Sequence, residues 1–466
     1  MQLKPPEWTS DAIIYQIFPD SFFNGEPYND PPETLNWGAS PERNRFYGGD
    51  LRGIIHKLDY LQKLGVNCIY LTPIFDAPSN HKYDTRNYFK VDEALGGDEA
   101  LIELVEQVHV RGMRILLDGV FNHCGVEHPF FVDATNRGKE SRYWKWFHID
   151  SIPVVESPEP NYRCFAGYGK MPEFDLSNPQ VREYLLGVVR YWFEKADIDG
   201  WRLDTVEYLH PDFVRAVRET SKEMKPEAYV LGELLHLGTS WFKGGYLDGA
   251  MNYRLRKYLL SFFVFNNIDA KTFGEKLYVL RRSYPDWANY AMYNMIDSHD
   301  RPRITTLCNG RKEIVRLILL FLFAYPGVPA IYYGDEIGIE GGNDPDCRRS
   351  MIWDERLWDR ELLEFCKRLI ELRKTSPALR KGAFIPGVAE NGVFTFEREY
   401  GNERVVVCLN NSPVAGEYEI GRPYDVLLSG SARIDSFTLS LDPYGFAVLR
   451  KTRGSDRDRK KTGSQR

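Results

Sequence analysis

The sequence predicts an α/β protein built as a (β/α)8 barrel, with a small domain inserted after the third strand and an all-β domain at the C-terminal end. Three observations predict it. Short apolar runs alternate eight times with amphipathic helical stretches, the pattern of a parallel sheet with helical crossovers. One connection, Asn122 to Asn178, is rich in Trp, Tyr and Pro and far longer than the loops of a compact domain. Beyond the helix expected at Glu361 to Arg373, helical periodicity gives way to short alternating strands such as Arg404 to Leu409 and Phe446 to Leu449.

The eight barrel strands are expected at Ala12 to Phe18, Asn67 to Thr72, Arg114 to Val120, Gly200 to Val206, Tyr229 to Glu233, Gly249 to Asn252, Tyr293 to Asp297 and Ala330 to Gly334. Helices fit between them at Leu51 to Leu64, Glu99 to Arg111, Gln180 to Ala196, Pro211 to Met224 and Lys312 to Ala324. The chain then divides into barrel (1–121), inserted domain (122–178), barrel (179–376), C-terminal β-sandwich domain (377–450) and a basic tail expected to be disordered (451–466).

At 466 residues the chain can bury a large core. Its net charge of -6 provides no global attraction for nucleic acid or an anionic membrane, so a neutral substrate suits it better. No apolar run approaches the roughly 20 residues that cross a bilayer. The start, Met1 to Glu7, has no signal-peptide core, which implies a cytoplasmic location. Seven scattered cysteines without paired ligand spacing read as reduced, structural thiols. The 10 Trp and 28 Tyr serve mainly packing, although aromatic faces also suit sugar rings.

Chemistry concentrates where strands end. Gly200-Trp201-Arg202-Leu203-Asp204 places Arg202 and Asp204 on one face of a strand, where the guanidinium is expected to keep the carboxylate ionised. Glu233 follows apolar Tyr229-Val230-Leu231 with no adjacent cation, so burial is expected to make it a proton donor. Two carboxylates in opposite environments are the division of labour in glycoside hydrolysis. Asp118-Gly119-Val120-Phe121-Asn122-His123 and Asp297-Ser298-His299-Asp300 close two further strands. A lone His or Tyr near a strand end is usually a packing residue, but four motifs in order, each closing a strand, weigh the other way.

These four motifs resemble those of the α-amylase family, glycoside hydrolase family 13. Tyr47-Gly48-Gly49-Asp50-Leu51, Thr72-Pro73-Ile74-Phe75, His81-Lys82-Tyr83-Asp84-Thr85, Met171-Pro172 and Asp344-Pro345-Asp346-Cys347-Arg348-Arg349 are similar to the cyclomaltodextrinase, neopullulanase and maltogenic amylase group. The resemblance implies Asp204 as nucleophile, Glu233 as general acid/base and Asp300 as a third acid gripping sugar hydroxyls. It implies that Arg202 orients Asp204, His123 and His299 donate to hydroxyls, Tyr83 stacks under the sugar, and Asp84 pairs with Arg348. Asp118 reads equally as a site residue or a buried partner of Arg202, and Asn122 as a loop support or a metal ligand.

The implied reaction is retaining hydrolysis of α-1,4-glucosidic bonds in maltooligosaccharides, starch and cyclodextrins, with carboxyl groups roughly 5 to 5.5 Å apart. A 4-α-glucanotransferase would use the same intermediate. A non-catalytic carbohydrate-binding protein is disfavoured because all three acids are retained. The partner implied is an α-glucan, with no nucleic acid, membrane or organic cofactor.

Asn24, Glu26, Asn29, Asp30, Gly48 and Asp50 form a second, oxygen-rich group that could wrap a structural Ca2+, though turn chemistry alone selects the same residue types. Some relatives bind calcium through a similar Asn-Gly-Asp run, where this chain has Glu26. The chain also departs from the group at Thr205-Val206-Glu207-Tyr208, at Leu235, where Trp is usual, and at Glu173-Phe174-Asp175. The first barrel strand begins near Ala12, so the group's N-terminal β-domain is expected to be absent. An open cleft follows, with a monomer or an oligomer not built on that domain.

Overall fold

The computed structural model describes residues 4–420, 424–435 and 438–451, in two compact units. All but the first residue of the expected 451–466 tail lies outside the described residues.

The first unit comprises Met1–Lys257, Val279–Gly310 and Gly327–Ile370. It holds eight parallel strands: β1 Ile14–Ile17, β2 Cys68–Leu71, β3 Arg114–Gly119, β4 Gly200–Leu203, β5 Tyr229–Gly232, β6 Gly249–Ala250, β7 Tyr293–Asn294 and β8 Val328–Tyr332. Their order is β6-β5-β4-β3-β2-β1-β8-β7, and a parallel bridge between Met251 and Tyr293 closes the sheet into a (β/α)8, or TIM, barrel. Helices lie where capping chemistry places them. Asp50 caps α1 (Leu51–Leu64) by accepting from Gly53 N–H at 2.6 Å, and Gly65, at φ 99°, ends it in the left-handed region that glycine tolerates. Pro begins both α4 (Pro179–Ala196) and α5 (Pro211–Met224), after α2 (Gly97–Val110) and α3 (Pro129–Arg137).

The barrel interior follows the two-residue period of a strand. Ile14, Cys68, Leu116, Leu231, Met251 and Tyr293 belong to one buried cluster. Two positions onward lie Gln16, Tyr70, Asp118, Glu233 and Tyr253, so the alternation that fills the core also delivers polar groups to the strands' carboxyl ends. In register, Asp118 is the β3 partner of Arg202 on β4, and Gln16 partners Tyr70.

β4 stops at Leu203 rather than continuing to Val206, because Thr205 takes a left-handed φ of 44°. That turn directs the backbone N–H groups of Thr205 and Val206 to the Glu233 side chain and carbonyl, at 3.1 and 3.2 Å. The segment after β3 carries α3, tied back by bridges between His123 and Glu173, Phe147 and Phe174, and Cys164 and Pro172.

The second unit comprises Tyr258–Tyr278, Arg311–Pro326 and the chain from Glu371. Its antiparallel sheet contains β9 Ala383–Glu390, β10 Val393–Tyr400, β11 Glu403–Asn410, β12 Gly416–Glu419, β13 Tyr424–Asp435 and β14 Thr438–Lys451. The order is β9-β10-β11-β14-β12, with β13 also on β14. Phe273, Phe321, Phe394 and Phe396 pack together within it. None of the seven cysteines forms a disulfide, and among the described residues no helix is long and apolar enough to cross a membrane.

Candidate active site

Arg202 sits fully buried at the end of β4 and faces three carboxyl groups. Its Nη1 donates to Asp118 Oδ1 and Oδ2 at 2.9 and 3.0 Å and to Asp204 Oδ1 at 2.6 Å. Its Nη2 lies 2.9 Å from Glu233 Oε2. Thr205 links the same two acids, its N–H on Glu233 Oε2 at 3.1 Å and its hydroxyl on Asp204 Oδ2 at 3.3 Å. Asp118 also accepts from the Tyr70 hydroxyl at 2.6 Å, so it is a buried partner of Arg202.

This arrangement corrects two electrostatic expectations. Glu233 is not without a cation, because folding brings Arg202 to it from a neighbouring strand. Asp204 is not held low: burial pushes its carboxyl well above the ordinary value, the charges of Glu233 and Asp118 add to this, and Arg202 opposes without prevailing. Burial likewise pushes Asp118 up to about 6. One cation does not offset this burial, so Asp118 and Asp204 are both pushed toward their protonated forms.

Asp300 forms the opposite side. Its Oδ1 accepts from Arg348 Nη2 at 3.1 Å and its Oδ2 lies 3.1 Å from His299 Nε2. The Asp300 side chain is exposed at the mouth of the site; partial desolvation pushes its carboxyl up, but His299, Arg348 and Arg202 outweigh it and hold it below its ordinary value. His299 is buried and pushed down to about 3, hence neutral at pH 7. Gln16 Nε2 lies 2.8 Å from its Nδ1. An amide NH2 only donates, which assigns the ring proton to Nε2, facing Asp300 and the Tyr83 hydroxyl at 2.6 Å.

His123 is buried, is pushed down to about 3 by burial, stacks on Phe165 at 4.9 Å and leaves Nε2 without a partner. A buried nitrogen left this way is open to a ligand hydroxyl. Asp84 does not pair with Arg348 as expected. Ser79 donates to Asp84, while Arg348 reaches Asp300, Asp344 at 3.2 Å and the His299 carbonyl at 2.8 Å. The sequence reading passed over Gln16, Tyr70 and Tyr253, although each stands two positions after an inward apolar residue on its strand or strand extension.

The oxygen-rich group lies apart from this cluster. Asn24 Oδ1 and Asn29 Oδ1 are buried acceptors without partners, and Asn24 Nδ2 donates to Asp30 at 2.8 Å. These oxygens suit a hard cation. Two expected ligands are committed elsewhere. Glu26 pairs with Arg52 at 3.0 Å, and Asp50 accepts from the N–H groups of Gly25, Glu26 and Gly53. A Cβ on Gly48 would fall 2.4 Å from Asp30 Oδ1, so glycine is required for this close approach.

Comparison with known proteins identifies the family. The family model "Alpha amylase, catalytic domain" matches residues 16–357. A cyclomaltodextrinase of Geobacillus thermopakistaniensis (strain MAS1) is 44% identical over 458 residues, 96% of this chain and 78% of the relative. A maltogenic α-amylase of Bacillus acidopullulyticus is 42% identical over 90% of this chain and 72% of its own length. Among solved structures, the cyclic α-maltosyl-(1→6)-maltose hydrolase of Arthrobacter globiformis superposes with a TM-score of 0.91 at 36% identity, covering 96% of this chain and all of that one. Barrel, acidic strand ends and relatives agree: the chain belongs to the α-amylase family, glycoside hydrolase family 13, and is an α-amylase-type glycosidase.

Proposed function

We propose that the protein is a retaining hydrolase of α-1,4-glucosidic bonds in maltooligosaccharides, starch and cyclodextrins. The observation that carries this reading is the convergence of Asp204 and Glu233 on one guanidinium at adjacent strand ends. Asp204 attacks the anomeric carbon as Glu233 protonates the departing oxygen. Glu233 then deprotonates water, which releases the sugar from Asp204. Asp300 and Arg348 grip the hydroxyls of the reacting sugar, His123 and His299 donate to them, Tyr83 stacks beneath the ring, and Asp84 shapes the wall through Ser79. The names of the similar enzymes support the substrate class.

The test is stereochemical. Proton NMR of maltotetraose hydrolysis should show the α-anomer of the new reducing end appearing first, and a 2-deoxy-2-fluoro maltosyl fluoride should leave its sugar on Asp204, located by peptide mass spectrometry. Initial release of the β-anomer would refute a retaining mechanism.

Calcium is proposed at Asn24, Asn29, Asp30 and Gly48, beside Asp50, where it would stiffen the approach to α1. A cytoplasmic location is proposed from the absence of disulfides, together with similarity to a Bacillus subtilis protein named intracellular maltogenic amylase.

A further inference from the structure

The geometry points to Tyr253 as a positioning residue that fixes which oxygen of Glu233 carries the transferable proton. This rests on the acid/base reading of Glu233 and adds how that acid is aimed. Glu233 Oε2 accepts from the Thr205 N–H at 3.1 Å and lies 2.9 Å from Arg202 Nη2, a cationic nitrogen that carries only protons and makes no aligned hydrogen bond there. A proton on that oxygen would point at other protons, so the neutral acid carries it on Oε1. The group facing Oε1 is the Tyr253 hydroxyl, at 3.2 Å. A phenol both accepts and donates. Here it donates to Oε1, which leaves the acid's own proton free to face the leaving oxygen, and the same bond strengthens once the carboxylate has formed.

The ring is well placed for this. Tyr253 opens the helix Tyr253–Leu259, separated from the end of β6 by two residues, packs in the barrel cluster with Met251 and Tyr293, and lies under the Arg301 guanidinium at 5.3 Å. Burial first, then the charges of Glu233 and Asp300, push its hydroxyl far above the ordinary value, with Arg202 and Arg301 opposing, so it stays protonated. Asp204 and Asp118 complete the charged groups around the acid. In the first step the Oε1–H bond breaks as the proton passes to the leaving oxygen. The anomeric C–O bond breaks while one forms to Asp204, and the Tyr253 O–H stays on Oε1 as negative charge develops there.

Tyr253→Phe removes one hydroxyl and keeps the ring. Two substrates separate its roles: maltotetraose needs a proton on its leaving group, and α-maltosyl fluoride does not. The variant should lose about tenfold in kcat/KM on maltotetraose and less than about twofold on the fluoride. The alkaline limb of its maltotetraose pH profile should move up by about half a unit or more, because the carboxylate has lost a donor. Equal losses on both substrates, no loss on either, or an unmoved limb would overturn the role. A wild-type protein inert toward both substrates would instead sink the hydrolase reading, and this role with it.

Discussion

Arg202 Nη2 lies 2.9 Å from Glu233 Oε2, joining two residues that are 31 positions apart in sequence and belong to neighbouring strands. The same guanidinium holds Asp204 and Asp118. It therefore positions the whole acidic cluster rather than tuning one member.

Arg202→Lys should be severe although it conserves charge. A single ammonium cannot present a planar fork to three carboxyl groups. We expect kcat on maltotetraose to fall about 100-fold or more and chemical stability to drop by about 3 kcal/mol, measured by initial rates and urea unfolding. Wild-type rates in the lysine variant would show that the fork is dispensable.

Glu233→Gln should retain the fold and lose the proton. Rates on maltotetraose are expected to fall by about 10²–10⁴, while glycosylation by α-maltosyl fluoride survives. A burst experiment with the fluoride would show one sugar bound per protein chain; undiminished hydrolysis of maltotetraose would reassign the acid.

Acid should destabilise the protein through its buried histidines. His128, which caps α3 and lies 3.2 Å from the Tyr184 hydroxyl, is pushed by burial from the ordinary 6.5 to about 3. Its folded value is depressed, so its contribution is present above pH 6.5 and is lost as pH falls toward 3, when only the unfolded chain takes up the proton. His128→Asn preserves a capping side chain and should flatten that fall by about 1.4 kcal/mol per pH unit. Urea melts of both proteins at several pH values between neutrality and pH 4 check this; parallel curves would contradict it.

Chelation tests the oxygen cluster. Calcium at a hundredfold excess over its dissociation constant should add about 2.7 kcal/mol of stability, reversed by chelator. Asn24→Ala with Asp30→Ala should abolish the response. Melting curves indifferent to calcium in the wild type would overturn the calcium proposal.

The barrel was legible because its signals are local. Helix boundaries at Leu51–Leu64 and Pro211–Met224 follow from a capping residue just before each and, in α5, Pro at the first position. The end of β4 was not legible, since nothing local to Thr205 announces a left-handed turn; its reason is the Glu233 carboxyl just past β5. Asp84 was assigned to Arg348 by motif alone, whereas the chain places Ser79 beside the first and Asp300 and Asp344 beside the second.

The period of each element and the acidic side chains at the strands' carboxyl ends can be read from the residues alone, because both depend on neighbours a few positions apart. Only the tertiary structure decided how charge is shared there. Barrel closure sets Asp118, Asp204 and Glu233 around one desolvated guanidinium, and the strength of a buried charge depends on everything within a few ångströms, whatever its distance along the chain.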